Sequence, residues 1–421
     1  MNFVKRISLF LTPLSLLFLS VGKFVFAFLV VFRIFVLVAS KRVSVWESWF
    51  LRCFLMIFGV FVIWACLGFF NENDWRHILR NNFSSLFFFL GSLTIFWGVR
   101  SVDDLICRMA VLVRVLSYGL LSFIILYTLR LFGVDVNALF SDPYFGRLGY
   151  NFTFSGPLIE FSGLQFEKVF SGISGVYIYL IPFCLLVLRD FWFLFITLVL
   201  AVLMSSFMFY LVLVFYVLVF FVTNFRYFAG YAFFGFVFSA LVFLGFVYGP
   251  LKDMPVTHKV VELVSGDYDY SAQTSQLPST IGVRVIQFNA LLTEVSSSPV
   301  LGKGLGYQSE IYNDIRSNWK PLKEFNKSMY ELQFMDVLMK FGVVGSVLIF
   351  ILYVFLPLII GFKWIFHSKV VLSFFVGHIG LVIYSLNNGN YFYSYATMFC
   401  WGLTVYFMLF YRVSFKGRSL R

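Results

Sequence analysis

Residues 343–362 read VVGSVLIFILYVFLPLIIGF, and this stretch decides the class of the protein. The run contains no charged side chain and lies between Lys340 and Lys363. An α-helix needs roughly 20 apolar residues to cross a bilayer core of about 30 Å. The stretch therefore predicts a transmembrane helix.

The rest of the chain repeats this pattern. Of its 421 residues, 61% are hydrophobic and only 12% are charged, and the mean hydropathy is +0.90. These values lie far from those of an ordinary soluble domain. The predicted fold is an all-α polytopic membrane protein with about 12 transmembrane helices, or two fewer if the first two spans form a tight hairpin. We place the spans at residues 7–22, 24–40, 49–69, 83–99, 109–132, 170–188, 191–207, 209–223, 229–249, 343–362, 370–386 and 392–411.

The net charge of +12 fits a membrane topology. Short loops rich in Lys and Arg stay on the cytoplasmic side of a membrane. An even number of spans puts both termini on that side, so the basic charge does not imply a nucleic-acid partner. The basic residues that fall there are those of the tail RVSFKGRSLR and Lys5, Arg6, Lys41, Arg42, Arg100, Arg108, Arg189, Arg226, Lys363 and Lys369.

The polar segments between the spans divide the chain into three parts. Residues 1–249 form an N-terminal transmembrane bundle with an outward loop at 133–169, residues 250–342 form one large, partly helical outward loop, and residues 343–421 form the C-terminal transmembrane helices. No internal repeat is visible, which disfavours a transporter built from two similar halves. Chemistry is therefore expected in the outward loops.

No metal site is indicated by the sequence, because the cysteines occur singly and do not cluster with histidines. Arginines inside predicted spans are functional candidates by default. Arg52 and Arg130 lie near span ends, from where a long side chain reaches the membrane interface. The other two are Arg33 and Arg114.

The large outward loop contains two predicted helices around a glycine run. VRVIQFNALLTEV at 283–295 has apolar residues at helical spacing, and SSSP ends it. SPVLGKGLG at 298–306 lacks the spacing of a dinucleotide-binding loop, so by itself it predicts only a tight turn. In ELQFMDVLMKFGVVG at 331–345, an apolar stripe precedes a break at two glycines, which predicts an interfacial or re-entrant helix. The stripe consists of Leu332, Met335 and Met339, and the break of Gly342 and Gly345.

The order of these motifs resembles the large outward loop of the O-antigen polymerase and O-antigen ligase superfamily. Its members are inner-membrane glycosyltransferases that act on glycans carried by undecaprenyl diphosphate. The resemblance rests on Arg284 and Phe288, on SSPVLGKGLG at 297–306 and on ELQFMDVLMKFGVVG at 331–345. FGRLGYNFTFSGPLIEFSG at 145–163 is similar to the first large loop of that family.

The resemblance implies a GT-C-like fold in the bacterial inner membrane, with both termini in the cytoplasm and the large loop in the periplasm. It implies lipid-linked glycans and membrane lipids as partners, leaves a chain-length regulator protein open as another, and implies no metal or other cofactor. Two departures matter. The ligases have histidine where this chain has Glu331, which favours a polymerase. The family's S-R pair is replaced by Ser205 and Ser206, so diphosphate binding is not implied there.

Glycosyl transfer from a diphosphate carrier develops negative charge on the departing phosphate, which cationic and amide groups stabilise best away from bulk water. Arginine binds phosphate oxygens in pairs, so Arg284 and Arg147 are the first candidates, with an ion pair within the loops as the competing interpretation. Lys303 either adds charge or is merely solvated. The backbone N–H groups of the adjacent glycines are expected to form an anion-binding nest. These glycines are Gly302, Gly304 and Gly306.

The acceptor hydroxyl must lose a proton, so a carboxylate that acts as general base is expected. The register of the resemblance gives this catalytic role to Glu331, beside Arg284, whereas a structural pair with Lys327 is the alternative. Weaker candidates are Glu160, Glu294 and Glu310. Candidates for stacking on sugar rings, or for packing alone, are Tyr307, Trp319 and Tyr330.

The resemblance, taken with these candidate residues, implies the polymerisation of undecaprenyl-diphosphate-linked oligosaccharide repeat units into a surface polysaccharide of the O-antigen type. One alternative is an O-antigen ligase, which transfers a finished glycan to lipid A core. The other is a flippase or exporter of the same lipid-linked sugars, which predicts a water-filled cavity lined by charges and no catalysis.

Overall fold

A computed structural model of the chain describes residues 2–17, 19–40, 43–79, 84–132, 134, 152–161, 164–171, 173–204, 208–220, 222–223, 280–318, 330, 332–366, 368–386 and 394–416. The helices of the N-terminal part are α1 (Asn2–Leu17), α2 (Leu19–Ser40), α3 (Val45–Phe70), α4 (Trp75–His77), α5 (Ser84–Phe89), α6 (Ser92–Ile95), α7 (Val102–Leu131), α8 (Ser174–Phe183), α9 (Phe191–Met204) and α10 (Met208–Phe220). Those of the C-terminal part are α11 (Thr280–Ser297), α12 (Glu310–Ser317), α13 (Gln333–Phe350), α14 (Leu356–Ile365), α15 (Lys369–Leu386) and α16 (Tyr395–Lys416). A π-helical turn at Cys184–Leu188 follows α8, and another at Ile351–Phe355 joins α13 to α14.

Several helices are suited to a membrane by length and composition. Four helical stretches of the described chain are long and apolar enough to cross one: Val45–Phe70, Val102–Leu129, Gln333–Ile365 and Tyr395–Ser414. Shorter apolar helices accompany them at Phe24–Ser40, Ser85–Ile95, Ser174–Leu188, Phe191–Ala201, Met208–Phe220 and Lys369–Ser385. The predicted class, a helical membrane protein, is confirmed. The number of spans stays a prediction, and the span predicted at 229–249 lies outside the described residues.

Helix α16 lies at the centre of the bundle, where it packs against α3, α5, α8, α14 and α15. Its aromatic side chains are buried on all sides of the helix, among them Phe399, Trp401, Tyr406 and Phe407. A helix that is apolar all round is typical of a bundle interior. Edge-to-face ring pairs fill the space around it, as where the ring centroids of Phe89 and Trp401 lie 5.4 Å apart.

The segment predicted to be the first large outward loop contains a β-hairpin, which adds to the predicted helical architecture. Strand β1 (Phe152–Phe161) pairs antiparallel with β2 (Leu164–Ser171). The register shifts between Phe154 and Leu158, where the sequence reads SGP. Proline lacks a backbone N–H and is tolerated in strands at edges and bulges. The same glycine and proline hid this strand from the sequence pattern.

The arginine inside the second predicted span is neutralised by a neighbouring helix. Arg33 of α2 forms an ion pair with Glu47 of α3, and both side chains are buried. The guanidinium carbon of Arg33 lies 4.7 Å from the ring centroid of Trp97. Glu47 also completes a capping box with Ser44 at the start of α3. Arg33 therefore holds α2 against α3, which accounts for its charge without a role in catalysis.

Candidate functional site

Helix α13 is interrupted at Gly342, whose φ of 61° and ψ of −172° are not helical. The first part, residues 333–341, therefore forms a separate short helix before the membrane stretch begins. Its side chains Met335 and Met339 are buried, together with the preceding Leu332, and they cluster with Leu291 of α11. The predicted apolar stripe and the predicted break are both confirmed, as is the helix predicted from residue 283 onward.

The glycine turn, residues 302–306, links this short helix to α3. Gly302, Gly304 and Gly306 have φ values of 72°, 84° and 83°, a left-handed conformation that favours glycine. The N–H of Lys303 donates to the carbonyl of Met339 (2.8 Å), and the N–H of Gly304 donates to that of Lys340 (2.9 Å). From the other side, the N–H of Leu305 donates to the carbonyl of Trp64 (3.0 Å). The turn thus joins two helices through its backbone.

Two glycine pairs make these close approaches possible. A Cβ on Gly304 would lie 2.5 Å from the Cα of Gly68, and one on Gly342 would lie 2.5 Å from the backbone nitrogen of Gly302. Real Cβ atoms do not come this near to backbone atoms. The glycines therefore let one backbone pack directly on another.

Four consecutive amides of the glycine turn, where the sequence predicts an anion-binding nest, already have acceptors within the protein. The N–H of Gly302 donates to the carbonyl of Ser298 (3.0 Å), and the next three N–H groups donate to the α3 and α13 carbonyls described above. Each of these donors is already paired, so none is left to bind a phosphate oxygen. The amide donors are used to assemble the site rather than to hold a ligand.

The side chain of Lys303 lies in a different environment from its backbone N–H, which is bound to α13. The side chain is half-buried, and its Nζ lies 5.5 Å from the ring centroid of Tyr307. Among the described residues, no carboxylate lies within ion-pair distance of this Nζ. A partly desolvated cation of this kind attracts anions more strongly than one in open water. Lys303 stays a candidate for phosphate binding.

Lys340 is a contrasting case in the same region. Its Nζ lies 2.7 Å from the Oδ1 of Asp336, one helical turn earlier, and both side chains are almost completely buried. A buried pair of this kind neutralises both charges. Lys340 is therefore a structural residue. The sequence analysis did not identify the pair, although its (i, i+4) spacing in the predicted helix is a signal that could have done so.

Glu294 of α11 accepts two side-chain hydrogen bonds. The hydroxyl of Tyr307 donates to its Oε2 (2.8 Å), and the hydroxyl of Ser309 donates to its Oε1 (3.2 Å). The N–H of Ser309 in turn donates to the hydroxyl oxygen of Tyr330 (2.6 Å). Glu294, ranked among the weaker candidate bases, thus fastens the chain after the glycine turn to α11.

Both tyrosines of this network stay protonated. Burial, and then the hydrogen bond to Glu294, raise the pKa of the Tyr307 hydroxyl. Burial, and then the negative charge of Asp336, raise the pKa of Tyr330 well above its ordinary value. Tyr307 therefore keeps the proton that it shares with Glu294, and its hydroxyl is committed to the protein while its ring contacts Lys303.

Arg284 and Gln287 lie one turn apart on α11. Arg284 is half-buried, whereas Gln287 is completely buried and accepts a hydrogen bond at Oε1 from the N–H of Leu332 (2.8 Å). Residues spaced by three or four positions share one face of a helix, so both belong to the face that carries Leu291 and Glu294. This face packs against the first part of α13. Sequence patterns did not single out Gln287.

A second polar segment, residues 71–78, also holds the glycine turn. The side-chain amide of Asn73 donates to the carbonyls of Lys303 (2.9 Å) and Leu305 (3.0 Å), and that of Asn71 donates to the carbonyl of Lys303 (3.0 Å). Next to it, the Nε2 of the buried His77 lies 3.7 Å from the Oδ2 of Asp74. Nothing in the sequence pattern connected this segment with the turn.

Two of the predicted site residues, Arg147 and Glu331, lie outside the described residues, as do Trp319 and Lys327. Whether Arg147 and Glu331 converge with Arg284 stays a prediction. Within the described residues, no group of three or more His, Cys, Asp or Glu side chains is arranged to hold a metal ion.

Comparison with known proteins adds a family to this geometry. Residues 191–350 match the family described as O-antigen ligase. No curated protein matches the chain. The matched range includes α11, the glycine turn and all of α13, the elements that build the site. The match supports placing this chain in the O-antigen ligase/polymerase superfamily.

Proposed function

We propose that the protein polymerises undecaprenyl-diphosphate-linked oligosaccharide repeat units of a surface polysaccharide at the periplasmic face of the bacterial inner membrane. The family match supports an activity of the ligase or polymerase type. The observation that carries the proposal is the half-buried Lys303, which has no carboxylate partner among the described residues and lies in a turn fixed by α3 and α13. A cation held rigidly in this way suits a diphosphate leaving group.

In the proposed reaction, the oxygen of an acceptor hydroxyl attacks the anomeric carbon of the donor glycan. The bond between that carbon and the diphosphate oxygen breaks, and undecaprenyl diphosphate leaves with the electron pair. Arg284 and Lys303, with Arg147 from the first outward loop, stabilise the charge on the departing phosphate. Glu331 takes the proton of the acceptor hydroxyl. No metal ion is required in this scheme, because arginine and lysine supply the positive charge.

The polymerase is preferred over the ligase because Glu331 stands where the ligases have histidine. In the polymerase, the growing lipid-linked chain is the donor and a new lipid-linked unit is the acceptor. The ligase remains the second candidate because the matching family is described as O-antigen ligase. The two differ only in the acceptor, so an assay that offers both acceptors separates them.

The test uses purified protein in lipid nanodiscs and lipid-linked oligosaccharide extracted from a strain that lacks this gene. A polymerase converts this substrate into a ladder of longer lipid-linked glycans. Transfer to added lipid A core without a ladder would identify a ligase instead. Absence of any new glycosidic bond, together with movement of the substrate across a vesicle membrane, would identify a flippase.

A further inference from the structure

The two peptide units on either side of the Lys303 Cα have all of their hydrogen-bonding groups paired. The carbonyl of Gly302 accepts from the hydroxyl of Ser298 (2.9 Å), and the N–H of Lys303 donates to α13. On the other side, the carbonyl of Lys303 accepts two side-chain amides, and the N–H of Gly304 donates to α13. Glycines on both sides would otherwise leave this part of the chain conformationally free. The direction in which the Lys303 side chain leaves the backbone is therefore fixed.

The carbonyl of Lys303 is bound more completely than its surroundings require. Its oxygen accepts the Nδ2 of Asn71 at 3.0 Å and the Nδ2 of Asn73 at 2.9 Å, so both of its lone pairs are used. Asn71 is exposed, so water could satisfy the same lone pair almost equally well. The Nδ2 of Asn73 also donates to the carbonyl of Leu305 (3.0 Å). Two side chains thus hold one oxygen that water could have satisfied.

The turn that carries the two asparagines is itself unfavourable. At the end of α3, the N–H of Asn73 donates to the carbonyl of Gly68 (2.9 Å), and the N–H of Glu72 donates to that of Phe69 (3.1 Å). A helix end of this type usually has glycine at its left-handed position, but here that residue is Glu72, with a φ of 59°. Residues other than glycine adopt this conformation at a cost in free energy, and they are concentrated at functional sites. With this turn between them, Asn71 and Asn73 reach the same oxygen.

The far end of the Lys303 side chain also has a fixed neighbour. Its Nζ lies 5.5 Å from the ring centroid of Tyr307, whose hydroxyl donates to Glu294 (2.8 Å). An ammonium group over the face of an aromatic ring is attracted to it. The ring therefore guides the ammonium of Lys303, while the backbone hydrogen bonds fix the start of the side chain.

We propose that Asn73, together with Asn71, is a positioning residue for the transfer reaction: the two side-chain amides fix the carbonyl of Lys303 and, through it, the ammonium that stabilises the departing phosphate. The inference rests on the proposed function. Both asparagines act through Lys303 and do not themselves touch the glycan. A displacement of about 1 Å at a reacting group can cost roughly 100-fold in rate, so loss of these hydrogen bonds is expected to act on kcat.

The test compares Asn73→Leu, which removes the donor at similar side-chain size, with Asn73→Gln, which keeps an amide. Ladder formation from lipid-linked oligosaccharide is measured with purified full-length protein in nanodiscs. Asn73→Leu is expected to lower kcat by about 10- to 100-fold and to leave KM for the donor within about twofold. Asn73→Gln is expected to lose less. Asn289→Leu, the same change at an exposed position of α11, is the matched control and is expected to behave as the wild type. A wild-type kcat in Asn73→Leu would contradict the inference.

The Lys303→Gln background separates positioning from simple stabilisation. Asn73 binds the backbone of Lys303, which this change keeps, so Asn73→Leu should lower the unfolding temperature equally in both backgrounds. The rate should fall only where the lysine is present. Multiplied losses of rate would overturn the inference. Should Asn73→Leu not reach the membrane, Asn71→Leu removes the other donor to the same oxygen. Its expected loss of kcat is about fivefold, as for one neutral hydrogen bond.

A spectroscopic readout that needs no turnover distinguishes failure of this inference from failure of the proposed function. Reductive methylation with isotope-labelled formaldehyde places methyl groups on the Nζ of Lys303, where the ring of Tyr307 shifts their NMR signal upfield. The signal is identified by its absence in Lys303→Gln. Asn73→Leu is expected to move it towards that of an exposed lysine such as Lys369, and an unchanged signal would refute the positioning role. A wild-type protein that forms no ladder refutes the proposed function itself, and with it the catalytic part of this inference.

Discussion

Gly304 packs its backbone directly on Gly68: a Cβ on Gly304 would lie 2.5 Å from the Gly68 Cα. This contact, between the glycine turn and α3, explains why glycines recur around Lys303. The φ of 84° at Gly304 excludes most other residues independently of the space.

Replacement of Gly304 by alanine is therefore expected to destabilise the protein. A left-handed alanine alone costs roughly 1–2 kcal/mol, and the collision with α3 adds to it. The measurement is thermal unfolding of the purified protein in detergent, followed by tryptophan fluorescence. Gly59→Ala is the control, because a Cβ at Gly59 of the same α3 meets nothing within 4 Å. Equal unfolding temperatures for the two variants would contradict the packing role.

Lys303 is expected to affect activity without affecting stability. Lys303→Gln removes a half-buried cation that makes no ion pair with the described residues, so the unfolding temperature should change little. Polymerisation should fall by about 100-fold if the charge stabilises the departing phosphate. The rate of ladder formation in nanodiscs measures this loss. Lys369→Gln, an exposed lysine at the start of α15, is the control. Wild-type rates in Lys303→Gln would remove this residue from the site.

The parts of the site that the sequence could predict depend on local patterns. The stripe of Met335 and Met339 follows from helical periodicity, and the break at Gly342 follows from glycine in an apolar run. The positions of the turn glycines can also be read from the sequence. Their role in close backbone packing cannot, because the backbone that each one approaches belongs to a helix distant in sequence. Gln287 was hidden for the same reason: on an isolated amphipathic helix it looks like a polar surface residue.

The polar segment 71–78 shows that sequence analysis has the same limit for loops. Asn73 binds the carbonyl of Lys303, yet asparagine in a polar loop has no spacing that would identify its partner. Composition was sufficient to predict a membrane protein, because each apolar residue of a span contributes separately to its burial in the bilayer. Tertiary hydrogen bonds are not additive in this way, so their partners emerge only from the folded structure.

For the buried pair of Asp336 and Lys340 we predict a loss of stability, whereas for Lys303 we predict a loss of activity. Asp336→Asn leaves the Lys340 ammonium buried without its counter-charge, which typically costs about 3–5 kcal/mol. Both the yield of folded protein and its unfolding temperature should fall. The double variant Asp336→Leu with Lys340→Met removes both charges and should recover most of the stability. A double variant as unstable as Asp336→Asn would mean that the pair contributes more than mutual neutralisation.

We expect Tyr307 and Glu294 to stabilise the fold jointly, through the hydrogen bond between them. Tyr307→Phe removes one of the two side-chain donors to a buried carboxylate, at a cost of about 1–3 kcal/mol in unfolding free energy. Glu294→Gln should cost a similar amount, because an amide matches only one of the two hydroxyl donors. Since both changes break the same bond, the double variant should lose less than the sum of the single losses, by about 0.5–3 kcal/mol. Thermal unfolding of the four proteins measures this coupling, with Tyr118→Phe on the exposed face of α7 as the control for loss of a tyrosine hydroxyl. Strictly additive losses would show that the two side chains stabilise the protein independently, and that Tyr307 is free to serve the glycan instead.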